Sequence, residues 1–303
     1  VKILYVYNFA YLDYQSDTVY HGLIDSGMDV YETHYPSYML NGFVFDKQSM
    51  YGDVWQDIYG GLPGTTFTLY GKLDYTPKVE SGEIIIDKIK SKFYDIVIYG
   101  CVYDHDGMPR RKCLDYLDEV IKYYSKHEIH FIDGSDNSWN YAHSNGLAPY
   151  GTIWKTQLES IGAGNPICFG IPESQLIKSN PKKEKLFADI IPGIKKTYVY
   201  SDEESYYNDY AKSYYGMTWK KGQWNCMRHL EILANKCIPY FPDIEDCPPF
   251  VMMDFPKEVF RETNKYARKY EIHPNYEWIN DYIFDYTKNN LTTKKIVERF
   301  FRK

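Results

Sequence analysis

Short apolar runs alternate along this chain with stretches in which apolar residues recur at helical spacing. Val1–Tyr7, Met28–Glu32, Asp95–Val102, Glu128–Asp133 and Pro166–Ile171 read as strands. Ser16–Gly27, Gly82–Lys92 and Arg111–His127, lying between them, read as helices. That alternation predicts a parallel sheet covered by helices. From His34 to Lys78 the chain is rich in Tyr, Gly and Pro and reads as a long irregular insertion facing substrate. Lys178 to Lys196, with Asn180-Pro181 and Pro192-Gly193, reads as a connection to a second unit. This unit runs from Thr197–Tyr200 to Phe250–Asp254, and a helix opens in it at Asp202, where an acidic first turn suits the helix dipole. Past Pro256 the spacing predicts helices over Lys257–Tyr270, Asn275–Lys288 and Thr292–Arg302. No internal repeat or low-complexity tract interrupts the pattern.

The densest chemistry lies between Trp219 and Phe241, a basic, glycine-containing loop followed by a helix and a short buried strand. A helix opening near Gly222 places Trp224, Arg228 and Glu231 on one stripe, because offsets of four and seven residues share a face. Met227, Leu230, Leu233 and Ala234 fall on the opposite side and pack inward. Backbone N–H groups at a helix start favour anions, Lys220 and Lys221 add charge, and Arg228 can fork onto phosphate oxygens. Glu231 can accept from a ribose diol, and Trp224 lines the pocket. Such a set suits a nucleotide-sugar. The plainer alternative is an amphipathic helix whose Arg228 and Glu231 form a surface ion pair, worth only about 0.2–0.5 kcal/mol.

Composition narrows the classes. A chain of 303 residues is long enough for two medium domains. A net charge of -6 provides no global basic field to recruit polyanions, and the lysine pairs at 182–183, 195–196, 220–221 and 294–295 read as solvated surface. The 33 tyrosines offer faces for sugar or base rings, but a compositional bias produces the same excess. Six cysteines, at 101, 113, 168, 226, 237 and 247, show no C-x-x-C pair and read as reduced thiols of a cytoplasmic protein, without structural zinc. No leader pattern and no apolar run of membrane-spanning length stands in the sequence, so the Asn290-Leu-Thr292 sequon reads as accidental.

The stretch Arg228-His-Leu-Glu-Ile-Leu-Ala-Asn-Lys-Cys-Ile-Pro-Tyr-Phe241 resembles the signature of GT-B glycosyltransferases, especially the exostosin-like group. In that group an Arg-x-x-Glu helix leads into a Gly-Cys-x-Pro strand. The flanks Tyr206–Trp219 and Pro242–Pro248 look like the same segment in virus- and phage-encoded members, and Lys2–Tyr7 with Asp17–Leu23 resembles their first strand and helix. Similarity is strong over about residues 198–257 and looser elsewhere. Two departures stand out: Lys236 occupies the Gly position before Cys237, where a left-handed residue is expected, and Gln223 stands where retaining members carry a second glutamate.

The resemblance implies an α/β, GT-B-like fold of two Rossmann-like domains facing across a cleft, with C-terminal helices. Residues 1–180 would form the acceptor-side domain and 197–275 the nucleotide-sugar-binding domain, with 276–303 crossing back onto the first. The implied activity is transfer of a sugar from a nucleotide diphosphate donor, UDP-linked, to a hydroxyl of a glycan or of a hydroxymethylated DNA base. A nucleotide-sugar epimerase and a non-catalytic sugar-binding protein are the alternatives on the same fold.

An acceptor cleft needs a general base at the carboxyl ends of the first domain's strands. His105 and Asp104, after the Asp95–Val102 strand, are the leading candidates, with Asp133 and Asp13 in reserve. Asp104 and Asp106 also form an Asp-x-Asp pair of the kind that holds a divalent ion. Two carboxylates underfill such a site unless substrate phosphates complete it, so neither metal nor cofactor is expected. His21 and His229 read as packing histidines, His229 because it points about 100° from Arg228.

Overall fold

The structure, a computed structural model, describes residues 1–7, 13–43, 68–102, 114–160, 162–200 and 202–301. In its first half, chain order runs β1 (Lys2–Val6), α1 (Tyr14–Asp25), β2 (Asp29–Glu32), α2 (Gly82–Lys90), β3 (Ile96–Tyr99), α3 (Leu117–Tyr123), β4 (Ile129–Asp133), α4 (Tyr141–Ser144), β5 (Thr152–Lys155) and β6 (Asn165–Pro166). These strands make one wholly parallel sheet in the order β2-β1-β3-β4-β5-β6. The strand order reverses between β1 and β3, the place where such sheets open a crevice at their carboxyl ends.

Alternation of side chains across the pleat explains why both faces are covered. Ile3, Tyr5, Ile98, Ile132 and Trp154 face one way, onto Val19, Tyr20 and Leu23 of α1. Leu4, Val6, Val97, Tyr99, Phe131 and Ile153 face the other, onto Ile85 and Ile89 of α2 and Val120 of α3. The result is a mixed α/β, Rossmann-like arrangement.

The second half contains β7 (Lys185–Phe187), α5 (Glu203–Ala211), β8 (Ser213–Met217), α6 (Met227–Ala234) and β9 (Ile238–Tyr240), then α7 (Lys257–Ala267), α8 (Tyr276–Asn290) and α9 (Thr293–Val297). Its sheet is parallel in the order β7-β8-β9. Asp202 caps α5 by accepting from the Ser205 N–H, and Glu203 and Glu204 occupy the first turn.

Several elements differ from the sequence reading. Strand β6 covers two residues, and the rest of Pro166–Ile171 is buried irregular chain that meets the C-terminal tail through an Ile171–Thr292 bridge. Strand β7 lies inside the expected connection, whereas the expected Thr197–Tyr200 segment starts as a short 3-10 turn, Lys195–Thr197. Strand β8 went unseen because Ser-Tyr-Tyr-Gly-Met carries no clean alternation, its burial following the sheet's neighbours instead. The α3 helix starts at Leu117, after a left-handed Tyr116 at φ 62°, well past the expected Arg111.

The tail packs on the first sheet's covering helix. Helix α9 lies against α1, and His21 Nδ1 meets Thr293 Oγ1 at 3.1 Å. Gly22 makes that approach possible, because a Cβ there would sit 2.7 Å from the Thr293 carbonyl carbon. A strap of residues 68–73 ties the halves together: Tyr70 donates to Asp17 on α1 at 3.3 Å, Thr68 to Glu231 on α6 at 2.5 Å, and Lys72 pairs with Glu203 on α5 at 2.5 Å. The strap is the described end of the expected insertion, of which residues 44–67 lie outside the described residues.

Candidate functional site

The basic loop and its helix form a crossover between parallel strands: β8 ends at Met217, the loop spans residues 218–226, and α6 leads into β9. Helix α6 starts at Met227 and not near Gly222, with Cys226 at the cap position making no side-chain cap bond. Trp224 is therefore not on the helical stripe expected of it. It is 6 % exposed, its ring tilted at 35° against Phe241 with centroids 6.0 Å apart, and Lys220 Nζ lies 5.3 Å from its ring centre. The inward positions of the helix are as read: Met227, Leu230, Leu233 and Ala234 join the core.

His229 fixes the loop from within. Its Nε2 donates to the Trp224 carbonyl at 2.8 Å, which leaves Nδ1 to accept from the Thr218 hydroxyl at 2.9 Å, so one buried ring ties both ends of the loop. Burial lowers its pKa to about 4, with the Trp224 carbonyl working the other way, so the ring stays neutral. After α6, Lys236 adopts φ 51°, the left-handed conformation that the signature's glycine position calls for. Its Nζ reaches Asn180 Oδ1 at 3.1 Å and Asp281 Oδ1 at 3.0 Å.

Arg228 occupies the first turn of α6, partly buried, and among the described residues no carboxylate forms an ion pair with it. Its Nη2 makes a long 3.4 Å bond to the Tyr198 hydroxyl and its Nε is buried without a hydrogen-bond partner. Tyr198 also accepts from the Gly193 N–H at 3.2 Å. Burial raises the Tyr198 pKa, but Arg228, Gly193 and Lys221 together outweigh it and hold the phenol below its usual range. Cationic and N–H groups thus converge on one oxygen. Lys220 and Lys221 themselves are exposed. In the same loop, Gln223 Oε1 and both amide atoms of Asn225 are buried and unpartnered. The sequence reading missed these two, although two amides flanking a tryptophan beside a basic pair were the visible signal.

Glu231 differs from its expected form as a free acceptor. It is 2 % exposed, Oε1 accepts from Thr68 and Oε2 from the Tyr206 hydroxyl, both at 2.5 Å. Burial raises its pKa, partly offset by Thr68, Tyr206 and Arg228. No surface ion pair joins Arg228 to Glu231 either, so the plainer amphipathic reading is not the arrangement observed.

Across from the loop stand the carboxyl ends of the first sheet. Asp133, an expected reserve base, is fully buried and fully engaged: Oδ1 accepts from Lys155 Nζ at 3.0 Å and the Ser135 hydroxyl at 2.7 Å, while Oδ2 accepts the Tyr141 N–H at 2.6 Å. That role is structural, an ion pair combined with an anchor for α4. Lys155, itself buried, donates also to Ser135 O at 3.0 Å and Oγ at 2.5 Å, and burial lowers its pKa against the pull of Asp133. Asp13, the other reserve, caps α1 by accepting the Ser16 N–H at 2.8 Å. It packs so tightly that a Cβ on Gly134 would stand 2.5 Å from its Oδ1. Neither carboxylate is a free base in this arrangement. His105, Asp104 and Asp106 lie outside the described residues.

One carboxylate of this edge does face the loop. A Cβ on Gly222 would stand 2.6 Å from Asp136 Oδ2, so the glycine lets the basic loop close on Asp136. Asp136 is exposed, and no hydrogen bond or ion pair engages its carboxylate among the described residues.

Among the described residues no three His, Cys, Asp or Glu side chains gather as a cation site, and no helix is long and apolar enough to cross a membrane. Cys168, Cys226, Cys237 and Cys247 are free thiols. Fold and site together define a mixed α/β protein in which a basic loop of one parallel sheet meets, at Gly222, the carboxyl edge of another. No protein-family model matches this chain, and no curated protein matches it.

Proposed function

We propose that this chain is a GT-B-like glycosyltransferase that takes a sugar from a nucleotide diphosphate donor, UDP-linked, to an acceptor hydroxyl. The observation that carries the reading is Arg228: a guanidinium in the first turn of a helix, without a carboxylate partner among the described residues and with a buried, unpartnered Nε. A buried donor left unpaired costs about 1–3 kcal/mol, a cost that a bound diphosphate oxygen would remove. The Tyr198 hydroxyl already draws Arg228 and Lys221 toward one oxygen, as a phosphate would, and Lys220 extends the positive edge.

In this reading Arg228, Lys220 and Lys221 hold the diphosphate, and the N–H groups of the helix start add to them. Trp224 forms the apolar wall behind Lys220. Glu231 takes the ribose by exchanging one hydroxyl for another, the Thr68 donor giving way to a ribose hydroxyl on the same Oε1. Charge on the departing diphosphate is then stabilised by groups already oriented toward it. The acceptor is a glycan hydroxyl, with a hydroxymethylated DNA base as the other candidate.

Calorimetry with UDP tests the donor half. Arg228→Ala should fold as the wild type does and bind UDP roughly ten- to hundredfold more weakly, from about 1.5–3 kcal/mol for a hydrogen bond to a charged group. Unchanged UDP affinity in that variant removes the proposal. A mass-spectrometric screen of nucleotide-sugars, run with and without hydroxymethylated DNA, then identifies donor and acceptor.

A further inference from the structure

Asp133 and Asp13, the reserve bases expected at the first sheet's edge, are both engaged by the fold, and the leading candidates His105 and Asp104 lie outside the described residues. We infer that Asp136 is the catalytic base of this site, taking the proton from the acceptor hydroxyl. This inference rests on the glycosyltransferase reading above.

Three observations converge on Asp136. It follows β4 by three residues, at the carboxyl edge of the parallel sheet where ligands of such sheets lie. A Cβ on Gly222 would stand 2.6 Å from its Oδ2, so the carboxylate borders the loop carrying Lys220, Lys221, Gln223 and Asn225. Unlike Asp13 and Asp133, it has no partner among the described residues, while Gln223 and Asn225 of the same basic loop leave buried polar atoms unpaired.

The surrounding structure holds the loop in shape. Asp133 accepts from Ser135 on one side of Asp136 and from the N–H groups of Tyr141 and Ala142 beyond it. Asn140 accepts the His143 N–H at 2.8 Å and donates to Ala163 O at 2.6 Å. Burial raises the Asp136 pKa, and the Lys155 ammonium, which spends its hydrogen bonds on Asp133 and Ser135, pulls it the other way without occupying the carboxylate. A carboxylate on a braced loop, bordering the basic loop at Gly222, is the geometry a base requires.

The step balances as a direct displacement. The acceptor oxygen forms its bond to the anomeric carbon as the bond from that carbon to the diphosphate oxygen breaks. The electron pair leaves with the nucleoside diphosphate beside Arg228, and the hydroxyl proton passes to Asp136 and then to solvent. With water as acceptor the same step gives donor hydrolysis.

Asp136→Asn and Asp136→Glu, made in the whole chain, test this through two separate readouts. One is UDP affinity by calorimetry; the other is kcat for hydrolysis of whichever UDP-hexose the wild type consumes fastest. Asp136→Asn should lower kcat by roughly 10²–10⁴-fold with UDP affinity within twofold of wild type. Asp136→Glu should recover part of the rate, and the acid limb of the wild-type kcat profile should vanish in Asp136→Asn. If the wild type binds UDP and hydrolyses a donor while Asp136→Asn keeps its kcat, the base assignment is overturned and the glycosyltransferase reading stands. A wild type that neither binds UDP nor consumes any UDP-hexose overturns both.

Discussion

Buried ionisable residues give this protein two opposing dependences on pH. His21, His130 and His229 are each pushed down to about 4 by burial. An unfolded histidine titrates near 6.5. Between those values the unfolded chain binds protons that the folded one refuses, so their contribution to stability is lost as pH falls from about 6.5 through 4. Asp17 runs the other way. Burial pushes its carboxyl up to about 7, although Tyr7 and Tyr38 donate to Oδ1 at 2.8 Å and Tyr70 to Oδ2. Its contribution is complete below the ordinary carboxylate range and is lost as pH rises through 7. Thermal unfolding of Asp17→Asn should show this: the melting temperature of the variant, relative to wild type, rises between pH 5 and pH 8. A difference independent of pH contradicts the assignment. Sequence spacing alone had put His229 among packing residues, and its ring does brace the loop. Nothing local, by contrast, marked Asp17 as the acceptor for three tyrosines, two of which arrive from positions 38 and 70.

At the scale of elements, close approach decides more than propensity. Helix α9 is only five residues long and holds its place because Gly22 lets it lie directly on α1, with Ile296 and Val297 in the core. Gly22→Ala should force the two apart or strain them, lowering stability by about 1–3 kcal/mol as overpacking does, even though alanine is the better helix former. Urea denaturation measures it, and a neutral or stabilising result shows that the contact adjusts freely. The 219–241 segment was legible in part: the inward face of α6 follows from residue order, whereas the left-handed turn at Lys236 was expected only through the resemblance and is made by a residue less suited to it than glycine. The start of α6 was not legible. Trp224 looked like a helical residue by spacing, but the His229 bond to its carbonyl and its own packing on Phe241 hold it in the loop.

Across the whole molecule, the strap at residues 68–73 and the C-terminal tail make the two sheets depend on each other. Thr68 reaches Glu231, Lys72 reaches Glu203, and the tail returns from α8 to Ile171 and α1. In the proposed function, charge on the donor diphosphate is met by Arg228, the lysines and the helix start. UDP binding should therefore persist unchanged in excess EDTA. Loss of binding that added Mg²⁺ restores would transfer that role to a cation and bring Asp104 and Asp106 forward as its ligands.

The order of apolar runs determined β1 to β4 and the helices α1 and α2, because strand and helix periodicities are local properties of neighbouring residues, whereas β5, at Thr152–Lys155, was not among the expected strands. The same local logic made the 219–241 segment stand out, and with it Arg228. Strands β7 and β8 were decided only in three dimensions, since short strands take their burial from the elements packed on them. The carboxylates show the same division most sharply. Asp13, Asp133 and Asp136 are equivalent in sequence, each a carboxylate soon after a strand. The tertiary structure spends Asp13 on a helix cap and Asp133 on a buried lysine and the α4 backbone, and it leaves Asp136 facing Gly222, because hydrogen-bond partners come from residues distant in the chain.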